Sequence, residues 1–301
     1  KQELENIAAL LAAAAYLPQT EAWFEDVTAT HLPQDEDVHT LDVAFSDVDG
    51  NGTLDAVIAV EHGPNRLYVN DGEGQFTNRA GAFGDGAFDS EHVRVADFND
   101  DGHSDAFFVA EDDKHHQYFL GNGDGTYQDV TDRILQRSEG NALDVGDVNG
   151  DGLPDVVIGN TGERGQNFLW LNDPDQPGYF VDATSSHLPE MVDQTQGITL
   201  EDMDNDGDLD MVIGNEEPPS RLLINDGSGH FSEASDRLHL ETGLHTRQVI
   251  AFDATGDDRK DIVFCNLTSN GQGWQRDPQT RLLVQQENGQ FDDVTGPRMP
   301  G

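Results

Sequence analysis

The sequence predicts an all-β fold, a β-propeller of about five four-stranded blades with a short N-terminal helix. Three observations point there: one Asp-rich phrase recurs five times, a Gly-rich phrase follows each copy, and both keep a period near 50 residues. Repeats of that length that read as several short strands suggest propeller blades. A solenoid stack is the rival, but its repeats are usually shorter.

The N-terminal stretch comes first. Ile7 to Leu17 is apolar and Ala-rich, while Lys1 to Asn6 is net negative. A secretory leader needs a positive start, so residues 2–16 are read as a helix ended near Pro18. Residues 1–20 are taken as helix or linker and 21–301 as the repeat domain. No stretch reaches the roughly 20 apolar residues that a membrane span requires.

The first phrase reads DVDGNGTLDAVIAV from Asp47, DFNDDGHSDAFFVA from Asp97, DVNGDGLPDVVIGN from Asp147, DMDNDGDLDMVIGN from Asp202 and DATGDDRKDIVFCN from Asp253. Successive starts lie 50, 50, 55 and 51 residues apart. An alternating strand precedes each loop, as in Val93 to Ala96, and an apolar strand follows it, as in Asp155 to Gly159. A third strand of the type Leu67 to Val69 then enters a turn such as Asn70-Asp71-Gly72-Glu73-Gly74. That turn makes a hairpin into a fourth strand at an aromatic residue: Phe76, Tyr127, Phe180, Phe231 or Phe291. A sixth aromatic-acidic phrase, Phe24 to Thr28, precedes the first loop. It either adds beside the last blade or belongs to a longer array. Five closed blades are the favoured reading.

Within each loop, oxygen side chains fall at positions 1, 3, 5 and 9. They are Asp47, Asp49, Asn51 and Asp55; Asp97, Asn99, Asp101 and Asp105; Asp147, Asn149, Asp151 and Asp155; and Asp202, Asp204, Asp206 and Asp210. Alternate residues of a tight loop can converge on one point. Gly52, Gly102, Gly152 and Gly207 at position 6 let the backbone turn, and the position 7 carbonyl of Thr53, His103, Leu153 or Asp208 can add a ligand. Hard oxygens without Cys or His suit Ca²⁺ and suit Zn²⁺ poorly. The fifth loop offers Asp253, Thr255, Asp257, Asp261 and the Arg259 carbonyl, but Asp258 replaces the Gly. Four Ca²⁺ are therefore expected, with a fifth site weak or empty. An EF-hand would need Glu at position 12 between helices. That position is Ile58, Phe108, Ile158, Ile213 or Phe264, each in a strand-like run. The plainer reading of the acids, solvated Asp turns, would suffice for one loop. It does not account for four in one register.

The formal charge is −43. Nucleic acid and anionic membrane surfaces are unfavoured partners, because both need Lys and Arg. A single cysteine, Cys265, excludes an intrachain disulfide and reads as a small buried residue of a strand.

The loops and the RLLINDGSGHF phrase with its F-x-D-V-T sequel resemble the FG-GAP/VCBS calcium propellers. Those repeats also occur in integrin α-subunits, and the likeness is greatest to the branch with the cartilage acidic proteins. The resemblance covers about residues 24–295. It implies structural Ca²⁺ at the positions named, and a secreted, cell-surface or periplasmic protein. Thr255 and Asp258 depart from the pattern. The family does not fix a function.

Catalytic residues should break the repeat. At the start of the first strands the blades differ: His39 and Asp42, Glu91 and His92, Asn141, Gln196, Arg247 and Gln248. An ordinary polar channel lining is the plainer reading. Trp274 and Arg276, in the longest variable loop, are candidate partner anchors. His115 and His116 read as surface histidines, since no third metal ligand accompanies them. Asn266-Leu267-Thr268 and Asn51-Gly52-Thr53 match the glycosylation sequon. No nucleophile elbow, phosphate loop or zinc-protease motif is present. The leading function is a binding or scaffold module for a protein or glycan. The alternative is a polysaccharide lyase or hydrolase using Glu91, His92 and Arg247.

Overall fold

A computed structural model describes residues 25–34, 38–162, 165–216, 219–240, 245–267 and 280–298. The helix expected over residues 2–16 lies outside them, as do Trp274 and Arg276. A one-turn helix, α1 (Thr28–His31), leads into β1 (His39–Ser46), β2 (Asp55–Gly63), β3 (Arg66–Asn70) and β4 (Phe76–Asn78). The meander returns as β5 (Phe88–Ala96), β6 (Asp105–Ala110), β7 (Gln117–Gly121) and β8 (Tyr127–Asp129). The third copy is β9 (Gly140–Gly146), β10 (Asp155–Asn160), β11 (Phe168–Asn172) and β12 (Phe180–Asp182). The fourth is β13 (Thr195–Glu201), β14 (Asp210–Asn215), β15 (Arg221–Asn225) and β16 (Phe231–Glu233). The fifth is β17 (Thr246–Phe252), β18 (Asp261–Asn266), β19 (Arg281–Gln285) and β20 (Phe291–Asp293).

All pairings within the sheets are antiparallel. The Asp loop closes on the same register each time: Ser46 opposite Asp55, Ala96 opposite Asp105, Gly146 opposite Asp155, Glu201 opposite Asp210 and Phe252 opposite Asp261. The first two sheets are not independent, because β2 runs on past the usual length. Its tail pairs with β5, Glu61 opposite Asp89 and Gly63 opposite Phe88, and this joins the two sheets into one of eight strands.

The core lies between successive sheets. Val57, Leu67, Phe83, Val93 and Phe108 fill the first gap, and Phe98, Phe107, Tyr118, Trp170 and Phe180 the second. Val157, Leu169, Ile198 and Met211 fill the third gap, and Val212, Leu222, Val249 and Phe264 the fourth. Each middle strand is buried on both faces, which is why β6, β10 and β14 read as unbroken apolar runs. The outer faces of the end sheets differ. Leu41, Val43 and Phe45 on β1 are 46%, 44% and 57% exposed, and Ile250 and Phe252 on β17 are 46% and 44% exposed.

The F-x-D-V-T phrase, or its F-x-E-A-S counterpart at Phe231, closes the outer edge in repeats two to five. The Thr131, Thr184 and Thr295 hydroxyls accept the N–H of Tyr118, Leu169 and Leu282 on the third strands, and Ser235 serves Leu222 in the same way. The acid two residues earlier caps the backbone, as Asp182 accepts from Thr184 N–H at 3.0 Å. The sixth phrase makes that turn too: Asp26 accepts from Thr28 N–H at 3.0 Å. The helix behind it sets His31 beside Gly74, as α2 (Thr184–His187) sets His187 beside Gly229. So α1 stands to the first sheet as α2 stands to the fourth.

Two minor expectations are corrected. His116 is a core residue, 2% exposed, accepting from Ala110 N–H and bonding Ser138. Burial pushes its imidazole down to about 4. His115 stacks on Phe88. Cys265 is half-buried rather than fully enclosed.

Candidate metal centres

The five Asp loops share one hydrogen-bond frame. The position 1 carboxylate bridges the N–H groups of positions 5 and 6: Asp47 accepts from Asn51 and Gly52, Asp97 from Asp101 and Gly102, Asp147 from Asp151 and Gly152, and Asp202 from Asp206 and Gly207. The position 5 side chain accepts from the N–H of position 7, at 2.8 Å for Asn51 and Thr53 and 2.9 Å for Asp101 and His103. The same bond joins Asp151 to Leu153 and Asp206 to Asp208. These bonds wind the chain tightly, and in loops one and four they bring the carboxylates of positions 1, 3 and 9 together.

Position 9 has a second task that the loop spacing did not reveal. Asp55, Asp105, Asp155, Asp210 and Asp261 are completely buried. One oxygen of each accepts from the N–H of loop position 2, on Val48, Phe98, Val148, Met203 or Ala254. The other accepts from the last residue of the third strand, Asn70, Gly121, Asn172, Asn225 or Gln285. Burial, then the neighbouring loop carboxylates, push Asp105 and Asp155 up to about 7 and Asp210 to about 6, against those N–H bonds. Asp55 and Asp261 shift the same way. A divalent cation beside these groups would oppose both causes.

Donor oxygens of Asp47, Asp49 and Asp55 lie within 4.8 Å of one another, and so do those of Asp202, Asp204 and Asp210. In loops two and three position 3 is Asn99 or Asn149, whose amide oxygens accept from Asp101 and Asp151 N–H. The donor set is oxygen throughout, as Ca²⁺ requires. Both positions 4 and 6 adopt left-handed backbone. Position 4 is Gly50, Asp100, Gly150, Asn205 or Gly256, and position 6 is Gly52, Gly102, Gly152, Gly207 or Asp258.

Loop five keeps the frame. Asp253 accepts from Asp257 N–H at 3.2 Å and from Asp258 N–H at 2.9 Å, with Asp258 at φ +65°. Its chemistry differs: the Arg259 guanidinium pairs with Asp257, and the Thr255 hydroxyl is buried without a hydrogen-bond partner.

The loops are latched to the next sheet. Asn172 donates its amide to Phe98 O at 2.8 Å, Asn225 to Val148 O at 2.7 Å and Gln285 to Met203 O at 2.6 Å. Each carbonyl is loop position 2 of the preceding sheet. In the second sheet, where Gly121 stands, Gly125 N–H takes Val48 O instead. The Asn-Asp of the second phrase carried this signal, beyond its role in a turn.

The first strands meet around a cavity of about 290 Å³ lined by Asp42, Glu91, His92, Asn141, Gln196 and Arg247, among others. All five sheets contribute. Asp42 accepts from Arg94 at 3.0 Å and contacts His92 Nδ1 at 3.2 Å, and Arg94 also donates to Asp144. Burial opposes ionisation of Asp42, but His92 and Arg94 together hold its carboxyl below the usual range. Burial, then Glu111 and Asp89, push Glu91 up to about 7. The three residues considered for catalysis share this cavity, yet His92 is engaged by Asp42 and Arg247 by Gln196.

A sequence model of the FG-GAP-like repeat matches residues 47–108, 97–158, 147–213 and 202–264. Cartilage acidic protein 1 of Xenopus tropicalis is 31% identical over 137 residues, and that of Homo sapiens 32% over 139. Each alignment takes in 44% of this chain and 20% of the relative. The chain thus matches about a fifth of the length of these relatives. Among solved structures, the V. cholerae biofilm matrix protein Bap1 aligns over 84% of this chain and 38% of its own, at TM-score 0.46 and 13% identity.

Proposed function

The chain belongs to the FG-GAP-like repeat family, and from that premise we propose that it is a calcium-stabilised β-propeller, extracellular, that serves as a binding or scaffold module for a protein or glycan. The observation that carries the calcium reading is the convergence, in loops one and four, of loop carboxylates around a buried position 9 aspartate, on a hydrogen-bond frame that loops two and three share. In loops one to four the side chains of positions 1, 3, 5 and 9 would hold Ca²⁺, helped by the position 7 carbonyl. The ion would supply positive charge where carboxylates crowd, and so keep position 9 ionised. Because position 2 of loops one to four is latched to the next sheet, ordering one of these loops also orders an interface between blades.

The five sheets are read as consecutive blades around the axial cavity. Uncovered apolar faces on β1 and β17 favour an arc over a closed five-blade ring. The α1 helix, placed like a linker from a preceding blade, supports the same view. A secreted, cell-surface or periplasmic location follows from the family reading.

Binding is favoured over polysaccharide cleavage because the cavity's polar groups engage one another. The test is a glycan array together with affinity capture from the native host, in millimolar Ca²⁺. A saturable partner whose binding survives Glu91→Gln and His92→Ala supports the module. Turnover of a polysaccharide that those substitutions abolish would establish the enzyme instead.

A further inference from the structure

We propose a second kind of metal site, for a transition-metal cation of the Zn²⁺ type, where the first and second sheets join. Its ligands are Glu61, His62 and Asp89, with His39 beside Glu61.

The site grows from the run-on of β2. Glu61 stands opposite Asp89 in the β2–β5 pairing, and the register slips at His62. His62 takes φ +57°, which folds its ring back over the two acids. Its Nδ1 lies 3.4 Å from Asp89 Oδ1, and its Nε2 lies 3.7 Å from Glu61 Oε1. His39 Nδ1 is 3.5 Å from the other Glu61 oxygen. One donor atom from each of Glu61, His62 and Asp89 falls within 4.8 Å of the others. His62 can offer one ring nitrogen to an ion, and ligands of a tetrahedral ion bound at about 2.0–2.2 Å stand roughly 3.3–3.6 Å from one another, so closing the site takes a side-chain shift of up to about 1 Å, which the exposed His62 ring is free to make.

Asp89 is the independent sign of a ligand. It is 4% exposed, and its Oδ1 has no hydrogen-bond partner. The rest of the residue is fixed from behind. Oδ2 accepts from Asp112 N–H at 2.8 Å, its own N–H donates to Asp113, and its carbonyl accepts from Glu111 N–H. A buried carboxylate oxygen left unmatched is costly, and a cation in front of it removes that cost. Imidazole with carboxylates selects a borderline metal over Ca²⁺, which sets this site apart from the all-oxygen loops. Glu61 and His62 belong to the first sheet and Asp89 to the second, so the ion would clamp the two.

The test is calorimetric titration of the whole chain with Zn²⁺ alone, in excess Ca²⁺ so that the Asp loops are not free to compete. One Zn²⁺ per chain is expected, with Asp89→Asn and His62→Ala each weakening it by about tenfold or more, and His230→Ala leaving it unchanged. His62 has a largely exposed side chain, so His62→Ala tests the site even if Asp89→Asn fails to fold. Co²⁺ in place of Zn²⁺ should give tetrahedral visible bands that His62→Ala removes. No stoichiometric binding, or binding indifferent to His62→Ala, would overturn the proposal. Either result leaves the Ca²⁺ reading of the loops untouched.

Discussion

Loops four and five have the same backbone and different chemistry. Asp202 and Asp253 both bridge the N–H groups of positions 5 and 6, and Asp210 and Asp261 both cap position 2 from a buried site. Gly207 turns at φ +99° and Asp258 at φ +65°. The turn therefore does not depend on glycine; aspartate tolerates the left-handed region. What separates the loops is charge. Loop four presents carboxylates at positions 1, 3, 5, 7 and 9. Loop five has Thr255 at position 3, and Arg259 lays its guanidinium on Asp257. A covalently attached cation thus offsets one carboxylate of loop five.

If the frame is common and the charge is not, position 9 should matter in every loop. Asp105→Ala leaves the Phe98 and Gly121 N–H groups unmatched in the core. At about 1–3 kcal/mol for each buried donor, a loss of several kcal/mol is expected, with or without Ca²⁺. Urea unfolding measures it, and a change under about 1 kcal/mol would show that the frame is not what holds the loop.

Breaking the latch should cost less. Asn225→Ala removes the donors to Val148 O and Leu209 O, and unfolding should move by about 1–3 kcal/mol. An unchanged midpoint would mean that water replaces the amide fully.

The sharpest contrast between the two loops is in ion count rather than stability. Asp202→Ala should remove one bound Ca²⁺ per chain, counted by elemental analysis after dialysis, while Asp253→Ala should remove none. Equal losses would mean that Arg259 does not displace the ion. The smallest effect expected is a gain: Thr255→Asp with Arg259→Asp should raise the count by one.

Much of this was legible in the sequence because the repeat spells out local chemistry. Period, strand order and the register of the Asp loops follow from side chains a few residues apart. The role of Asp105 or Asp155 as a buried cap was not legible, because its second partner lies 16 or 17 residues away in another strand. The Asn172 and Asn225 latches span 74 and 77 residues. The pattern marks Thr255 and Asp258 as the departures of loop five; Asp258 makes the left-handed turn all the same, and the Arg259–Asp257 pair is the difference that the pattern did not disclose. The His62 cluster escaped because β2 departs from the repeat there and borrows Asp89 from its neighbour. Exposed faces on β1 and β17 likewise depend on what packs against them, which strand patterns do not encode.

The central claim is that calcium in the loops holds the blades together. Thermal unfolding of the unmodified chain in millimolar Ca²⁺ and in EDTA tests it most directly. Four sites at a hundredfold excess over their dissociation constants would each contribute about 2.7 kcal/mol, so chelation should lower Tm by on the order of 20 °C. Superimposable curves in the two conditions would contradict the account and leave the loops as hydrogen-bonded acidic turns.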